Sequence, residues 1–312
     1  MSAQAGEKCV VALGFFDGVH RGHAELIKTA KHRAAELGAV PAVLSFDESP
    51  TAVITGRSVP LIGSVKTRED IIHRFYGVDR IIIYPFDRHT METDWRVFID
   101  TLVRGYHAVH IVIGHDFHCG YMGAGGPENI PAYCRKIGIG CDVVPKFEID
   151  GITVSSTYIR RLITEGEIER ANRFLGHPYI YAGTVEDGRK LGRKLGTPTV
   201  NLQGDDSCLV LPANGVYATK VLFSDDRELP AVTNVGVRPT FDDSDKITVE
   251  TYILDFSGDL YGQYLRIEFF KYLRPEIKFT DCAALSAGIG ADIRHTRELF
   301  DDPVSQPCKK AE

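Results

Sequence analysis

The stretch KCVVALGFFDGVHRGHAELIKTAKHRAAELG, residues 8–38, joins a short apolar run, a glycine-rich turn and an amphipathic segment. The amphipathic segment carries apolar residues at helical spacing, namely Leu26, Ile27, Ala30, Ala34 and Leu37. Gly38 follows where a helix C-cap is expected. This order of strand, turn and helix predicts the first βα unit of an α/β domain.

The same alternation continues through the first half of the chain. Strand and helix patterns alternate and helices close the half, in the order AVPAVLSF, TREDIIHRFYG, DRIIIYPF, TDWRVFIDTLVRGY, HAVHIVIG and STYIRRLITEGEIERANRFLG. Such alternation predicts a Rossmann-like parallel sheet with helices on both faces. Ligands of these sheets bind at the carboxyl ends of the strands. We therefore expect residues 1–177 to form an α/β domain with a site at that edge.

From Pro178 onward the pattern changes to strands broken by turns. Several segments alternate apolar and polar residues, as antiparallel strands with one buried face do: YIYAGTV, GVYATKVLF, ELPAVTNVGV, ITVETYILDF and YLRIEFFKYL. One helix pattern, ADIRHTRELF, stands near the end, and DDPVSQPCKKAE has the composition of a loose tail. We expect residues 178–312 to form a small antiparallel β-barrel domain with a C-terminal helix.

The composition narrows the class of protein. The 312 residues are 44% hydrophobic and 25% charged with a net charge of −6, which indicates a globular chain without the basic field that holds nucleic acid. The start MSAQAGEKCV has no apolar core of signal-peptide length, and no apolar run approaches the roughly 20 residues that span a bilayer. The 7 cysteines, without a C-x-x-C pair, indicate free thiols in a reducing compartment. We expect a cytoplasmic protein without nucleic-acid or membrane partners, and its oligomeric state is left open.

Two histidines, His20 and His23, stand just past the first strand, where the first helix begins. A helix N-terminus presents free N–H groups and positive potential to phosphate, and Gly18 and Gly22 let a ligand approach the backbone. Two imidazoles at this spacing can donate hydrogen bonds to a reacting phosphate. The alternative is that one histidine caps the helix and the other is merely exposed.

A second candidate segment, VSSTYIR (residues 154–160), lies late in the same half. The hydroxyls of Ser155, Ser156 and Thr157 precede a helix that carries Arg160, and all four side chains suit nucleotide phosphates. As an alternative, S-S-T before a helix is an ordinary N-cap.

A histidine-rich cluster lies between these two segments and suggests zinc. Its members are His107, His110, His115, His118 and Cys119. Their spacing is not a known zinc pattern, so we expect no metal there.

The second half has its own candidate, GTVEDGRKLGRKLGTPTVN (residues 183–201), which is rich in glycine and basic residues. It is not a P-loop, because G-K-[ST] is absent. A basic glycine loop can cover phosphates, and Thr199 and Asn201 beside it offer the hard oxygen ligands that Mg²⁺ prefers. A flexible hairpin is the alternative that composition leaves open.

These segments together resemble one family. GFFDGVHRGH closely resembles the HxGH signature of nucleotidylyltransferases, in the form found in bacterial bifunctional riboflavin kinase/FMN adenylyltransferases, and VSSTYIR resembles their SSTxIR segment. Residues 198–201, PTVN, resemble the P-T-A-N segment of riboflavin kinases with Val200 for alanine. Four further segments are similar in the same order: PANGVYA, TNVGVRPTF, VETYILDFSGDLYG and LRPEIKF. The resemblance covers roughly residues 10–300.

The resemblance implies phosphorylation of riboflavin to FMN by ATP and Mg²⁺, followed by adenylylation of FMN to FAD with release of pyrophosphate. It implies that His20 and His23 stabilise charge on the phosphates, and that Glu250 is the general base of the kinase. The implied ATP-binding residues of the adenylyltransferase are Gly14, Phe15, Gly22, Ser155, Ser156, Thr157 and Arg160. In the kinase, phosphate binding falls to Gly188, Gly192, Gly196, Thr199 and Asn201, of which Thr199 and Asn201 also hold the metal.

The chain departs from the family pattern at two positions. GHDFHCGYMGAGG, residues 114–126, resembles the family's G-x-D-F-x-F-G loop, which assigns flavin contacts to Asp116 and Phe117. Cys119 stands there where phenylalanine is usual, and Ser49 stands in SFDESP in place of a histidine. These departures motivate the alternative of a working kinase with a weakened adenylyltransferase. A flavin-sensing protein without turnover and an oligonucleotide-binding barrel are alternatives of other classes.

Overall fold

The computed structural model describes residues 6–186, 199–238 and 246–301. The described part of the chain forms two compact units. Met1–Val59 and Arg68–Ser156 contribute to the first unit, and Pro60–Thr67 and Thr157–Lys309 contribute to the second. The chain therefore passes into the second unit twice. In the described ranges no helix combines the length and the apolar character that crossing a bilayer requires.

The first unit contains a 5-stranded parallel sheet in the order β3-β2-β1-β4-β5. Its strands are β1 Cys9–Leu13, β2 Val40–Phe46, β3 Arg80–Tyr84, β4 Ala108–Gly114 and β5 Gly140–Val144. All residues of β1 are buried, and because successive side chains face opposite sides, both faces of the sheet are covered. The strand order reverses beside β1, so a ligand is expected at the carboxyl end of this strand.

Helices follow the strands. They are α1 Arg21–Leu37, α2 Pro50–Thr55, α3 Val65–Tyr76, α4 Arg88–Glu92, α5 Trp95–Tyr106 and α6 Ile130–Lys136. Of these, α1, α3 and α5 are those that the periodicity predicts. Gly38 ends α1 in the left-handed region at φ 59° and donates its N–H to the carbonyl of Ala34, as the sequence predicts. A short hairpin of β6 (Glu148–Ile149) and β7 (Ile152–Thr153) follows the sheet. The prediction of a Rossmann-like α/β fold is confirmed.

The second unit is built on a closed antiparallel barrel in the order β10-β11-β12-β9-β8-β13. Its strands are β8 Tyr179–Glu186, β9 Thr199–Gly204, β10 Gly215–Leu222, β11 Glu228–Arg238, β12 Lys246–Ile253 and β13 Tyr264–Arg274. Helices α7 (Ser156–Thr164) and α8 (Ile168–Leu175) precede the barrel, and α9 (Cys282–Asp301) follows it. The predicted barrel and C-terminal helix are confirmed, and α9 begins before the predicted ADIRHTRELF.

Besides the short hairpin β6–β7, two strands have no counterpart in the prediction. β5, GCDVV, is short and interrupted by an aspartate, and β9, TVNLQG, is largely polar. Tertiary pairing overrides their weak local pattern, since β9 is hydrogen-bonded to β8 on one side and to β12 on the other. Gly188, Gly192 and Gly196 of the predicted phosphate loop, and the predicted tail, lie outside the described residues.

Helix α8, just before Pro178, packs on the barrel, although the sequence pattern places the domain boundary after residue 177. Asn172 of α8 donates from Nδ2 to the carbonyl of Phe269 and accepts from the N–H of Tyr179, both at 2.8 Å. Phe174 and Leu175 are buried. The proposed boundary therefore has a testable consequence for stability.

We expect a chain beginning at Pro178 to be less stable than one beginning at Thr157, by about 3 kcal/mol or more. Each large apolar side chain removed from water contributes roughly 1.5–3 kcal/mol, and the shorter chain loses Phe174 and Leu175. Urea denaturation followed by circular dichroism measures the difference. Both chains lack Pro60–Thr67, so the comparison isolates α7 and α8. Equal free energies of unfolding would show that these helices do not support the barrel.

Candidate active sites

The turn after β1 (residues 14–23, hereafter the histidine turn) has an unusual backbone. Phe16 and Val19 adopt positive φ angles of 57° and 40°, which non-glycine residues rarely do, and Gly18 has φ 74°. Hydroxyls from elsewhere hold this strained segment: Tyr76 donates to the carbonyl of Val19 at 3.3 Å. Strain that is held by surrounding contacts is typical of functional turns.

The two predicted histidines lie together at the start of α1. Their rings stack with centroids 3.6 Å apart and planes 9° apart. His20 is the N-cap of α1, and its Nδ1 accepts from the N–H of His23 at 3.3 Å. The capping alternative is thus confirmed for His20, and it is compatible with a phosphate site because the helix N-terminus stays beside both rings. A Cβ at Gly22 would lie 3.2 Å from the His20 ring, which is a tight contact.

His23 is neutral at physiological pH. Burial is the main cause that lowers its pKa well below 6.5, and the neighbouring His20 and Arg68 add to the effect. Its Nδ1 is buried and has no hydrogen-bond partner among the residues that the structure describes. The ring can therefore hydrogen-bond a ligand as a neutral imidazole.

Arg68 of α3 is a site residue that the sequence analysis missed. Its side chain is 1% exposed, donates to the carbonyl of Phe15 at 2.7 Å and to the hydroxyl of Ser45, and lies 4.5 Å from the centroid of the Phe15 ring. It joins the carboxyl ends of β1 and β2. Arginines are rarely buried, and TREDIIHRFYG reads as a surface helix, so the local sequence offers no signal for this role.

The SST segment is divided between the units. Ser156 belongs to the first unit and donates from Oγ to the carbonyl of Asp17 in the histidine turn, at 3.0 Å. Thr157 and Arg160 belong to the second unit, where Arg160 donates to Thr157 Oγ1 at 3.1 Å and to the carbonyl of Pro60 at 2.9 Å. The structure thus brings Ser156 to the histidine turn.

The GHDFHCG loop, to which the resemblance assigns flavin contacts, is only partly exposed. The side chain of Asp116 is 82% exposed, whereas Phe117 and Cys119 are partly buried against the core of the sheet. Cys119 exchanges two backbone hydrogen bonds with Gly125, at 2.8 and 3.0 Å. Burial is the main cause that raises the pKa of Cys119 to about 12, so its thiol stays protonated. Ser49, the other departure, accepts from the N–H of Ala52 as the N-cap of α2.

The histidine-rich cluster is dispersed in the structure. His110 is buried and its Nε2 lies 3.1 Å from Asp142 Oδ2, while His118 Nδ1 contacts the carbonyl of Asp116. His107 is the C-cap of α5. Within the described ranges no three His, Cys, Asp or Glu side chains are grouped as a metal site requires.

Three neighbouring strands of the barrel form the second site. Glu250 of β12 pairs with Asn201 of β9 on one side and with Asn234 of β11 on the other. Directly paired residues of a sheet point to the same face, so the three side chains form a polar row. The Oδ1 of Asn201 is buried without a hydrogen-bond partner within the described part of the chain.

Two members of this row, Asn234 and Glu250, line a cavity of about 290 Å³ (hereafter the barrel cavity). Its apolar wall includes Val216, Val232, Phe279, Leu285 and Ile289, and its polar wall includes Thr199, Asn234, Glu250, Arg274, Glu276 and Asp292. Sequence reasoning missed Asn234, Arg274, Glu276 and Asp292. Arg274 is fixed by a two-pronged contact with Asp292, at 3.0 and 2.7 Å.

Thr199 lies between two cavities of the barrel unit. Besides the barrel cavity, it lines a second cavity of about 60 Å³ together with Asp259 and Tyr261. A group at Thr199 can therefore contact ligands in both cavities.

The Rossmann-like sheet carries a histidine pair at a helix start, and the closed barrel carries a cavity lined by carboxylates. Together they define a two-domain phosphate-transferring enzyme. Residues 2–158 match the FAD synthetase family and residues 175–300 match the riboflavin kinase family. The chain belongs to the bifunctional riboflavin kinase/FMN adenylyltransferase family.

Related proteins are similar in sequence to this chain over nearly its whole length. The bifunctional riboflavin kinase/FMN adenylyltransferase of Listeria monocytogenes is 36% identical over 93% of this chain and 92% of its own. The protein of the same name from Pseudomonas fluorescens is 35% identical over 93% of both chains. A crystal structure titled as a macrolide-efflux protein from Streptococcus pneumoniae is 29% identical, with a TM-score of 0.82 over 94% of this chain and 95% of its own. That structure shares the whole two-unit fold.

Proposed function

We propose that this chain phosphorylates riboflavin to FMN in the barrel unit and adenylylates FMN to FAD in the α/β unit. The observation that carries the proposal is the row Asn201–Glu250–Asn234, of which Glu250 and Asn234 line the barrel cavity, in a chain whose halves match the two families in order. The boundary after residue 177 is part of this proposal.

In the kinase step, the barrel cavity would bind riboflavin. The flavin ring suits the apolar wall formed by Phe279, Leu285 and Ile289, and the ribityl chain suits the polar wall with Glu250. Glu250 would orient the terminal hydroxyl and accept its proton while the oxygen bonds to the γ-phosphorus of ATP and ADP leaves. Phosphoryl transfer has a loose transition state, so positioning contributes more than the strength of the base.

Mg²⁺ fits the oxygen donors beside Glu250. Asn201 supplies a buried carbonyl oxygen that makes no hydrogen bond within the described residues, and Thr199 supplies a hydroxyl where the two cavities adjoin. A threonine hydroxyl and an asparagine oxygen each occur among the Mg²⁺ ligands of nucleotide-dependent phosphoryl-transfer enzymes, where phosphate oxygens and water complete the coordination. The metal would supply charge neutralisation on the phosphates, and Thr199 and Asn201 would fix its place.

In the adenylylation step, a phosphate oxygen of FMN would bond to the α-phosphorus of a second ATP as the bond to pyrophosphate breaks. His20, neutral His23 and the free N–H groups of α1 would donate to the phosphate oxygens. Gly14, Phe15 and Gly22 would shape the turn that receives the nucleotide. ATP binding by Ser155, Ser156, Thr157 and Arg160, and flavin binding by Asp116 and Phe117, are proposed from the family resemblance.

One assay separates the candidate functions. Purified protein is incubated with riboflavin, ATP and Mg²⁺, and the flavins are separated by chromatography. FMN and FAD are the expected products. FMN without FAD would favour the single-activity alternative, which the departures at Cys119 and Ser49 from the family pattern motivate. Recovery of bound, unchanged riboflavin would favour a flavin sensor and overturn the proposal.

We expect Thr199→Val to raise the Mg²⁺ concentration for half-maximal FMN formation about tenfold, which corresponds to about 1.4 kcal/mol. Valine keeps the shape of threonine but removes the oxygen ligand. A Mg²⁺ titration of the kinase reaction measures the shift, with Thr184→Val on β8 as the matched control, because Thr184 lines neither cavity. An unchanged Mg²⁺ requirement would remove Thr199 from the metal site.

We also propose a cytoplasmic location and small-molecule partners. The support is the cysteine content: Cys9, Cys119, Cys134, Cys141 and Cys208 are free thiols. The net charge of −6 supports the absence of a nucleic-acid partner.

A further inference from the structure

Two segments that are distant in sequence meet at one carboxylate. Asn234, in the TNVG segment of β11, donates from Nδ2 to Oε1 of Glu276 in the LRPE segment, at 2.9 Å and 42 residues away. Gly236 lies two residues farther along β11, on the same face. A Cβ at Gly236 would lie 2.2 Å from Glu276 Oε1. The absence of a side chain at Gly236 therefore makes room for the carboxylate.

This contact places Glu276 near Glu250, the proposed general base, rather than elsewhere in the barrel cavity. Asn234 pairs directly with Glu250, and cross-strand neighbours have Cβ atoms about 4.5–5.5 Å apart. Glu276, Asn234 and Glu250 all line the barrel cavity. The barrel cavity thus has two carboxylates on either side of one amide.

Glu276 has capacity to bind a ligand. An ionised carboxylate has about four lone-pair sites, and Asn234 uses one of them. The residue is exposed, and it lines the cavity. A carboxylate can only accept hydrogen bonds, so its ligand must present a donor.

The substrate offers donors of two kinds. The flavin ring carries one imide N–H, and the ribityl chain carries several hydroxyls. The terminal hydroxyl must lie at Glu250 for transfer, so the donors beside Glu250 are the other hydroxyls of the same chain. Glu276 is separated from Glu250 only by Asn234. Its carboxylate is therefore placed to contact the ribityl chain and not the flavin ring.

We propose that Glu276, held by Asn234 over Gly236, is a specificity-determining residue that accepts a hydrogen bond from a non-reacting ribityl hydroxyl. This inference rests on the proposed kinase function. The proposed contact accounts for Asn234 and Gly236 of TNVG and for Glu276 of LRPE together. Glu276 selects flavins with a polyol side chain, whereas the apolar wall binds the ring of any flavin.

The test compares riboflavin with lumiflavin, which has the same ring and a methyl group in place of the ribityl chain. Both are titrated against the full-length protein by quenching of flavin fluorescence. A hydrogen bond to a charged group contributes about 1.5–3 kcal/mol, so we expect Glu276→Ala to lower the preference for riboflavin about 10- to 100-fold. Lumiflavin affinity should change less than about twofold, since no ribityl contact is lost. Glu298→Ala, an exposed glutamate of α9 outside the cavity, is the matched control.

Gly236→Ala provides a second route to the same result. The atom that the new methyl group would meet is the end of a flexible side chain, so the carboxylate moves and the barrel stays folded. We expect the same direction of change, and no additional loss in the double variant with Glu276→Ala, because both changes remove one interaction. Urea denaturation followed by circular dichroism checks that the barrel unit of each variant is folded, because Gly236 and Glu276 both lie in that unit.

Different failures lead to different conclusions. If Glu276→Ala weakens riboflavin and lumiflavin equally, or leaves the preference unchanged, Glu276 does not read the ribityl chain and the inference is wrong. If the unaltered protein forms no FMN from riboflavin and ATP, the proposed kinase function itself fails, whatever the binding preference.

Discussion

His23→Ala is expected to stop the reaction sequence at FMN, with FAD formation from supplied FMN lowered about 100- to 1000-fold. The physical reason is the loss of one preorganised donor at the start of α1. The rings of His23 and His20 stack with centroids 3.6 Å apart, and Nδ1 of His23 has no hydrogen-bond partner among the described residues. The ring can therefore bind a phosphate. FMN formation should persist, because Glu250 lies in the other unit.

The control for this variant lies on the same helix. The side chain of His32 is 73% exposed and pairs with Glu36 one turn away, so His32→Ala should leave FAD formation unchanged. The lowered pKa of His23 adds a pH test: the ring should stay neutral to well below pH 6.5, so its titration should put no acid limb into FAD formation between pH 6.5 and 8. Unchanged conversion of FMN to FAD by the His23→Ala protein would remove His23 from the reaction.

The local pattern of the chain predicted most of its secondary structure. β1 is a continuous apolar run, and β4 is one apart from His110, because both faces of a parallel sheet are covered. Gly38 marks the end of α1. β9 could not be predicted in this way. Its residues pair on both sides with strands that are distant in sequence, and that pairing, rather than its own polar composition, makes it a strand.

The residues of the candidate sites also fall into those that the sequence predicts and those that it does not. Residues within a motif, such as His20 and His23, were found because their spacing places them on one turn of helix. Their partners were missed because contact depends on topology. Arg68 reaches the histidine turn from another helix, and Glu276 lies 42 residues from Asn234. A single sequence carries no signal for such pairs, although the segments that contain Asn234 and Glu276 both resemble the family.

Glu250→Gln is expected to lower FMN formation about 100-fold, the low end of the range of general-base contributions. Glutamine keeps the shape and the place of the side chain between Asn201 and Asn234, but it cannot accept the proton of the ribityl hydroxyl. The loss should be no larger, because the loose transition state draws mainly on positioning and on charge neutralisation by the metal. Initial rates with riboflavin, ATP and Mg²⁺ measure the effect on kcat.

The same protein should still convert supplied FMN to FAD, since the histidine turn is unaltered. Glu298→Gln, on an exposed face of α9, controls for the loss of a negative charge from the barrel unit. A strong fall in kcat with little change in riboflavin affinity would distinguish Glu250 from Glu276, whose loss should act mainly on binding. If Glu250→Gln instead abolished FAD formation from FMN and kept riboflavin phosphorylation, the assignment of the two activities to the two units would be inverted. The polar row of the barrel would then need a role in adenylylation.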